Sequence, residues 1–245
     1  MGVMRLRHGD VAEIRLDWPE VRNALGPDEG RELRLALEET DADPSVGAIV
    51  LSASGKAFCA GGNLPAILTL AKGGEQAVRD KVYGEFQGIF RAITGSRVPV
   101  IAAVEGPAVG FGCDLALAGS ATFVGPAGWL AQGWIRAGLI PATGGTYYVK
   151  RRGGQQAVYR MLAADRVDGP TAESWNLAIA SDDARSSALA MAQKLASFPR
   201  GPVEAVLQLE RIDDRAEHLE AALDFQVGFI THPDFAALAA QLLGK

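Results

Sequence analysis

The sequence predicts an α/β fold whose core gives way, toward the C-terminus, to helices alone. Three observations carry this. The first half alternates strand-like runs with stretches of helical period. From about Thr143 the helical patterns take over. No low-complexity tract or disordered linker interrupts either part. The chain has 245 residues, enough for one large domain or one domain with an appendage, and 48% are hydrophobic, enough for a sizeable core.

Taken in order, VAEIRLDW (11–18) alternates apolar and polar residues, the pattern of a half-buried strand. PDEGRELRLALEET (27–40) reads as a helix, with Pro27 and Asp28 at its start and Leu33 and Leu37 one turn apart. VGAIVLSA (46–53) and VPVIAAV (98–104) are short continuous apolar runs, as expected of strands covered on both faces. Between them, Glu75 to Ile93 predicts an amphipathic helix whose stripe is Val78, Val82, Phe86, Ile89 and Ile93. ATFVG (121–125) predicts a further strand. TGGTYYVKR reaches a break at Gly153-Gly154 and resumes as QQAVYRMLAA; DGPTAESWNL holds a turn and a helix start. Three helical patterns follow Arg185. One carries Leu219, Ala222, Leu223, Val227 and Ile230, and another Phe235, Leu238 and Leu242.

Composition narrows the function. The net charge is −5 and the KRR at 150–152 is too short for a nucleic-acid surface, so no nucleic-acid partner is expected. Glu105 and Asp114 break the longest apolar candidate for a membrane span, so no membrane role is expected. The polar opening MGVMRLRHGD does not read as a signal peptide, and the two cysteines, Cys59 and Cys113, read as small reduced residues. The expectation is a cytoplasmic protein. The three histidines, His8, His218 and His232, are scattered, and no metal site is expected.

Two segments share a plan. IVLSASGKAFCAGGN (49–63) and VIAAVEGPAVGFGCD (100–114) each run from strand to glycine-rich loop to a point where a helix could start. Glycine allows positive φ and close approach of a ligand to the backbone. Two N–H groups aimed at one point would bind an oxyanion, such as a thioester carbonyl becoming an enolate. Asp114, one turn beyond the second loop, could then move a proton at the adjacent carbon. The glycines could equally serve packing, and Asp114 could be a helix cap. A phosphate loop fits less well: G-x-x-x-x-G-K-[ST] is absent and GPAVGFG does not match G-x-G-x-x-G.

PEVRNAL (19–25), IVLSASGKAFCAGGNL (49–64), VPVIAAVEGPAVGFGCDLALAGSATFV (98–124) and GLIPATGGTYYVKR (138–151) together resemble the crotonase superfamily, the enoyl-CoA hydratase/isomerase family, nearly end to end. The resemblance implies a crotonase-type spiral of ββα units over 1–185 and a helical C-terminal trimerisation region over 186–245. It implies an acyl-CoA thioester as substrate, no cofactor beyond that coenzyme A, and a homotrimer or hexamer. By position, the thioester oxygen would be held by the backbone N–H groups of Gly62 and Phe111. Arg22, Ala24, Leu25 and Ala60 would line the coenzyme A.

The family's hydratases use two glutamates. The first falls on Asp114, one methylene shorter. The second falls on Trp134, whose indole N–H can only donate; nearby Gln132 and Arg136 are not at the matching position. Losing a positioned acid or base typically costs a factor on the order of 10²–10⁴, so ordinary hydration is expected to be weak. The expectation is an enolate enzyme with Asp114 as sole acid/base and an aromatic wall from Trp134, Phe111 and Trp129, the Phe111 side chain narrowing the pocket. The alternatives are an acyl-CoA-binding homologue without catalysis and a C–C hydrolase of a β-diketone. Residues 66–80 fall where the family places a variable pocket cover.

Overall fold

The structure, a computed structural model, describes residues 2–135 and 138–231. Two compact units divide it, Met1–Ala196 and Ser197–Lys245.

In the first unit, Gly2–His8 (β1) and Val11–Asp17 (β2) form an antiparallel hairpin at one end of the main sheet. Ala48–Ala53 (β3), Val100–Val104 (β4), Ala121–Val124 (β6) and Ile179–Ala180 (β9) extend it in parallel, each beside the one before. A small second sheet holds Pro107–Val109 (β5), Trp129–Ala131 (β7) and Val167–Asp168 (β8), with β5 parallel to β7 and β8 antiparallel to it. These last strands are two or three residues long, too short to leave a period in the sequence. β1 was not legible either, because it buries no residue fully.

The helices of this unit are α1 (Pro27–Ala42), α2 (Leu64–Ala71), α3 (Gly74–Ala77), α4 (Gly84–Gly95), α5 (Phe111–Leu117), α6 (Gly145–Ala163), α7 (Gly169–Ser174) and α8 (Ala184–Ala196). A π-helical turn, Val78–Tyr83, joins α3 to α4. The helix expected from Glu75 to Ile93 is therefore present with one turn over-wide. Val82, Phe86, Ile89 and Ile93 are buried and Val78 is half-buried. The break at Gly153-Gly154 is a kink in α6, where Gly154 adopts φ 76°.

Both faces of the main sheet are covered. Ile14, Leu16, Ile49, Leu51, Val100, Ala102 and Val104 face the larger core with Leu33, Leu37, Phe86 and Ile89. Val11, Ala48, Val50, Ile101 and Ala103 face α8 through Ala184, Ala188 and Ala192, spaced one turn apart and small enough for close approach. This corrects the expectation of a half-buried β2. Its polar position Glu13 is wholly buried under α8 and is held by four side chains. Arg185 donates from Nε and Nη2 at 2.8 and 2.7 Å, Arg15 Nη2 lies at 2.9 Å, Ser52 Oγ at 2.6 Å and His8 Nε2 at 2.8 Å. These partners outweigh the burial and hold the Glu13 carboxyl well below the usual carboxylate range.

The first unit thus ends after α8, because α8 closes the sheet; the helical region expected from residue 186 overlaps it. In the second unit, Arg200–Glu210 (α9) and Arg215–Thr231 (α10) are helices. Leu219, Leu223 and Val227 of the expected α10 stripe are exposed. The stripe Phe235, Leu238 and Leu242, like Arg136, lies outside the described residues. Among the described residues no helix is long and apolar enough to cross a membrane.

Candidate active site

The two glycine-rich turns lie against each other. Cys59 and Ala108 form a parallel bridge, with Cys59 N–H donating to Pro107 O at 3.1 Å and Val109 N–H to Cys59 O at 2.9 Å. The approach is so close that a Cβ on Gly112 would fall 2.1 Å from Cys59 O. Gly62 and Phe111 follow directly from this seam, one in each turn. Among the described residues, no acceptor pairs with the backbone N–H of either. Asn63 caps α2, its Oδ1 accepting from Ala66 N, and α5 begins at Phe111.

The segment 22–25 runs beside 60–63: Ala60 N–H donates to Arg22 O at 3.0 Å, Leu25 N–H to Gly61 O at 2.9 Å and Asn63 N–H to Leu25 O at 2.8 Å. Arg22, Ala24, Leu25 and Ala60 are thereby brought to one edge. Arg22 is exposed, whereas the Leu25 side chain is in the core, so Leu25 presents backbone only. Asn23, not singled out in the sequence, is the knot of this loop. It sits at φ 55° and is fully buried. Its Oδ1 accepts from Trp18 N at 2.8 Å and its Nδ2 donates to Ser54 O and Ala57 O, both at 2.9 Å.

Phe111 departs from expectation. Its side chain is fully buried among aromatic rings, 4.7 Å from Phe86 and 5.3 Å from Phe90 between centroids. It turns into the core and does not narrow a pocket; only its N–H is available to a ligand. The apolar interior offers a ring far more than an open turn does. Trp129 is half-buried on β7, opposite Pro107 and Asp168.

Asp114 and Trp134 meet directly. β7 runs parallel to β5, so the chain leaving Ala131 passes over Gly110, and a Cβ there would lie 3.6 Å from the Trp134 indole. The indole Nε1–H then donates to Asp114 Oδ2 at 3.3 Å. Gln132 Nε2 donates to Oδ1 at 2.8 Å and Thr143 Oγ1 donates to Oδ2 at 2.6 Å. Gly145, at the head of α6, also lies close against this carboxylate. Gln132, noted only as lying off the matching position, and Thr143, unnoticed, both prove to be neighbours of the carboxylate. No sequence signal marks Thr143, which lies 29 residues from Asp114.

Asp114 does not cap its own helix α5; its carboxylate meets the first residue of α6 instead. Gly145 is required there, since a Cβ would fall 1.9 Å from Oδ1. Burial raises the Asp114 carboxyl to about 6, against the opposing pull of Thr143, Gln132, Trp134 and Gly145. Among the described residues the donors that reach it are neutral, so burial wins.

The site thus joins two abutting glycine turns, whose Gly62 and Phe111 N–H groups have no acceptor among the described residues, to a buried carboxyl raised to about 6. Residues 7–233 match the family model described as enoyl-CoA hydratase/isomerase, and the chain belongs to that family. It is 33% identical over 241 residues to the "Probable enoyl-CoA hydratase EchA14" of Mycobacterium tuberculosis, covering 94% of this chain and 93% of that one. It is 34% identical over 174 residues to the mitochondrial enoyl-CoA hydratase of Pongo abelii, covering 71% and 58%. Among solved structures, an enoyl-CoA hydratase from Polaromonas sp. JS666 superposes with a TM-score of 0.90 at 26% identity, covering 100% of this chain and 98% of that one. The fold is the crotonase fold, and the chain is an acyl-CoA enzyme of this family.

Proposed function

We propose that the protein forms an enolate from an acyl-CoA thioester, with the Gly62 and Phe111 N–H groups holding the thioester oxygen and Asp114 as sole acid/base. The observation that carries this reading is the Asp114 carboxyl itself, fully buried, raised by that burial to about 6 and one turn beyond an N–H that no acceptor among the described residues engages. In the reaction, the α-carbon–hydrogen bond breaks and its proton passes to an Asp114 oxygen. The electron pair moves onto the thioester oxygen between the two N–H groups. Two donors, Trp134 and Thr143, already share Oδ2, so one yields to admit the proton there. The Trp134 N–H, at 3.3 Å the longest of the three side-chain donors, is the one that gives way.

With Trp134 at the position of the second family carboxylate, ordinary hydration is weak and isomerisation or another enolate-derived step takes its place. Arg22, Ala24, Leu25 and Ala60 contact the coenzyme A, and the chain assembles as a trimer or hexamer, which light scattering on the purified protein reads.

The test is deuterium uptake from D₂O into a panel of saturated and unsaturated acyl-CoA thioesters, followed by mass spectrometry beside Asp114→Asn. Uptake that vanishes in the variant supports the reading. One observation favours a second reading, acyl-CoA binding without turnover: Asp114 is 0% exposed. Thioesters that bind and never exchange would put that reading first.

A further inference from the structure

We infer that Thr143 is a positioning residue for this site: its hydroxyl fixes the rotamer of the Asp114 carboxylate and favours its charged, proton-accepting form. The inference rests on the proposed role of Asp114 and deepens it.

Asp114 sits on α5, yet the turn leading into α6 supplies the shortest hydrogen bond to its charge. Thr143 Oγ1 makes the shortest of its side-chain hydrogen bonds, at 2.6 Å. Thr143 itself is 4% exposed, so water does not compete for that hydroxyl. The carboxylate also lies against Gly145, at the positive end of the α6 dipole, where negative charge is stabilised. The absence of a side chain at Gly145 makes the approach possible. The ring of Trp134 and the amide of Gln132 complete the cage from the segment after β7.

The division of labour follows from geometry. A threonine hydroxyl rotates about one bond and donates a single hydrogen. With Oδ2 beside it and burial excluding water, that hydrogen has one good acceptor. A hydrogen bond to a charged acceptor is about twice as strong as a neutral one. Losing it disfavours ionisation by about one pH unit. Among the described residues, the ionisable groups electrostatically coupled to Asp114 are Cys113 on its own helix and Tyr148 on α6. Burial, chiefly, pushes both upward and keeps them neutral in the working range. They do not mask the effect of Thr143.

The experiment compares wild type, Thr143→Val, Thr143→Ser and Thr143→Ala by two readouts. The first is the ¹³C carboxyl titration of Asp114, assigned with Asp114→Asn, on the protein without substrate. The second is the pH profile of deuterium uptake into butyryl-CoA. The valine variant is expected to move the Asp114 midpoint and the acid limb of the profile upward together by about one unit. Serine is expected to return both to the wild-type position. Alanine, which removes the hydroxyl without adding a branch, is expected to match valine and stands in for it if valine impairs folding. A wild-type midpoint in both valine and alanine overturns the inference, as does a serine variant that behaves like valine. A midpoint that shifts while wild type exchanges no deuterium overturns the enolate reading and supports the positioning role.

Discussion

Asp114→Asn separates the two consequences of burying this carboxyl, and its effect can be worked from the structure. In the folded protein the group ionises near 6, against 3.8 unperturbed. Below pH 4 it is protonated in both folded and unfolded chains. Between 4 and 6 the folded chain keeps its proton longer, so the raised group contributes stability at low pH that is lost as pH rises through 6. The shift of roughly two units corresponds to about 3 kcal/mol. Asparagine has no such titration. Its amide fits the cage at modest cost, because Gln132 Oε1 has no hydrogen-bond partner and the Gln132 amide can turn over to accept from it. Urea unfolding of both proteins from pH 4 to 7.5, at one protein concentration, is expected to show wild type losing about 3 kcal/mol relative to the variant across that window. Deuterium uptake in the variant is expected to fall on the order of 10²–10⁴-fold. Unfolding curves whose difference stays constant with pH would refute the raised ionisation; undiminished uptake would refute the acid/base role.

Gly112→Ala is expected to cost more than about 4 kcal/mol in urea unfolding, because its Cβ would collide with backbone at Cys59 O and the seam between the two turns cannot shift one side alone. Phe111→Ala is expected to cost about 3–5 kcal/mol by leaving a void between Phe86 and Phe90. Deuterium uptake per folded molecule is expected to persist because the N–H remains; loss of uptake in a folded variant would mean the ring lines the site after all. Glu13→Gln is expected to cost about 1.5–3 kcal/mol at neutral pH by weakening charge-assisted hydrogen bonds at a fully buried position, since Arg185 and Arg15 are 39% and 23% exposed and stay solvated. Because Glu13 ionises well below its usual range, its contribution is full above pH 4.5 and fades as pH falls through that lowered value, so the gap between wild type and variant should narrow only in strong acid.

Much of this was legible because it repeats along the chain. The apolar runs of β3 and β4 and the stripe of α4 are local patterns that burial then uses. The two glycine-rich turns and Asp114 were legible as motifs, and aligning them exposed Trp134 as the departure. The sequence pattern of β2 misled because alternation reports chemistry, and Glu13 is polar yet buried beneath α8. Phe111 misled because a motif fixes a backbone N–H and leaves the direction of its side chain to the packing around it.

The sequence by itself determined the α/β order, the pair of strand–glycine turns, a carboxylate after the second and an indole where a second carboxylate would stand. The first three depend on residue type and local period; the last is what the family resemblance implies. Only the tertiary structure decided that the turns abut at Cys59 and Ala108, that Trp134 donates to Asp114, and that Thr143, from the turn before α6, donates to the same carboxylate. The physical reason is that the ionisation of a buried acid is set by the donors that reach it through space, and those donors come from segments whose separation along the chain leaves no mark in any local pattern.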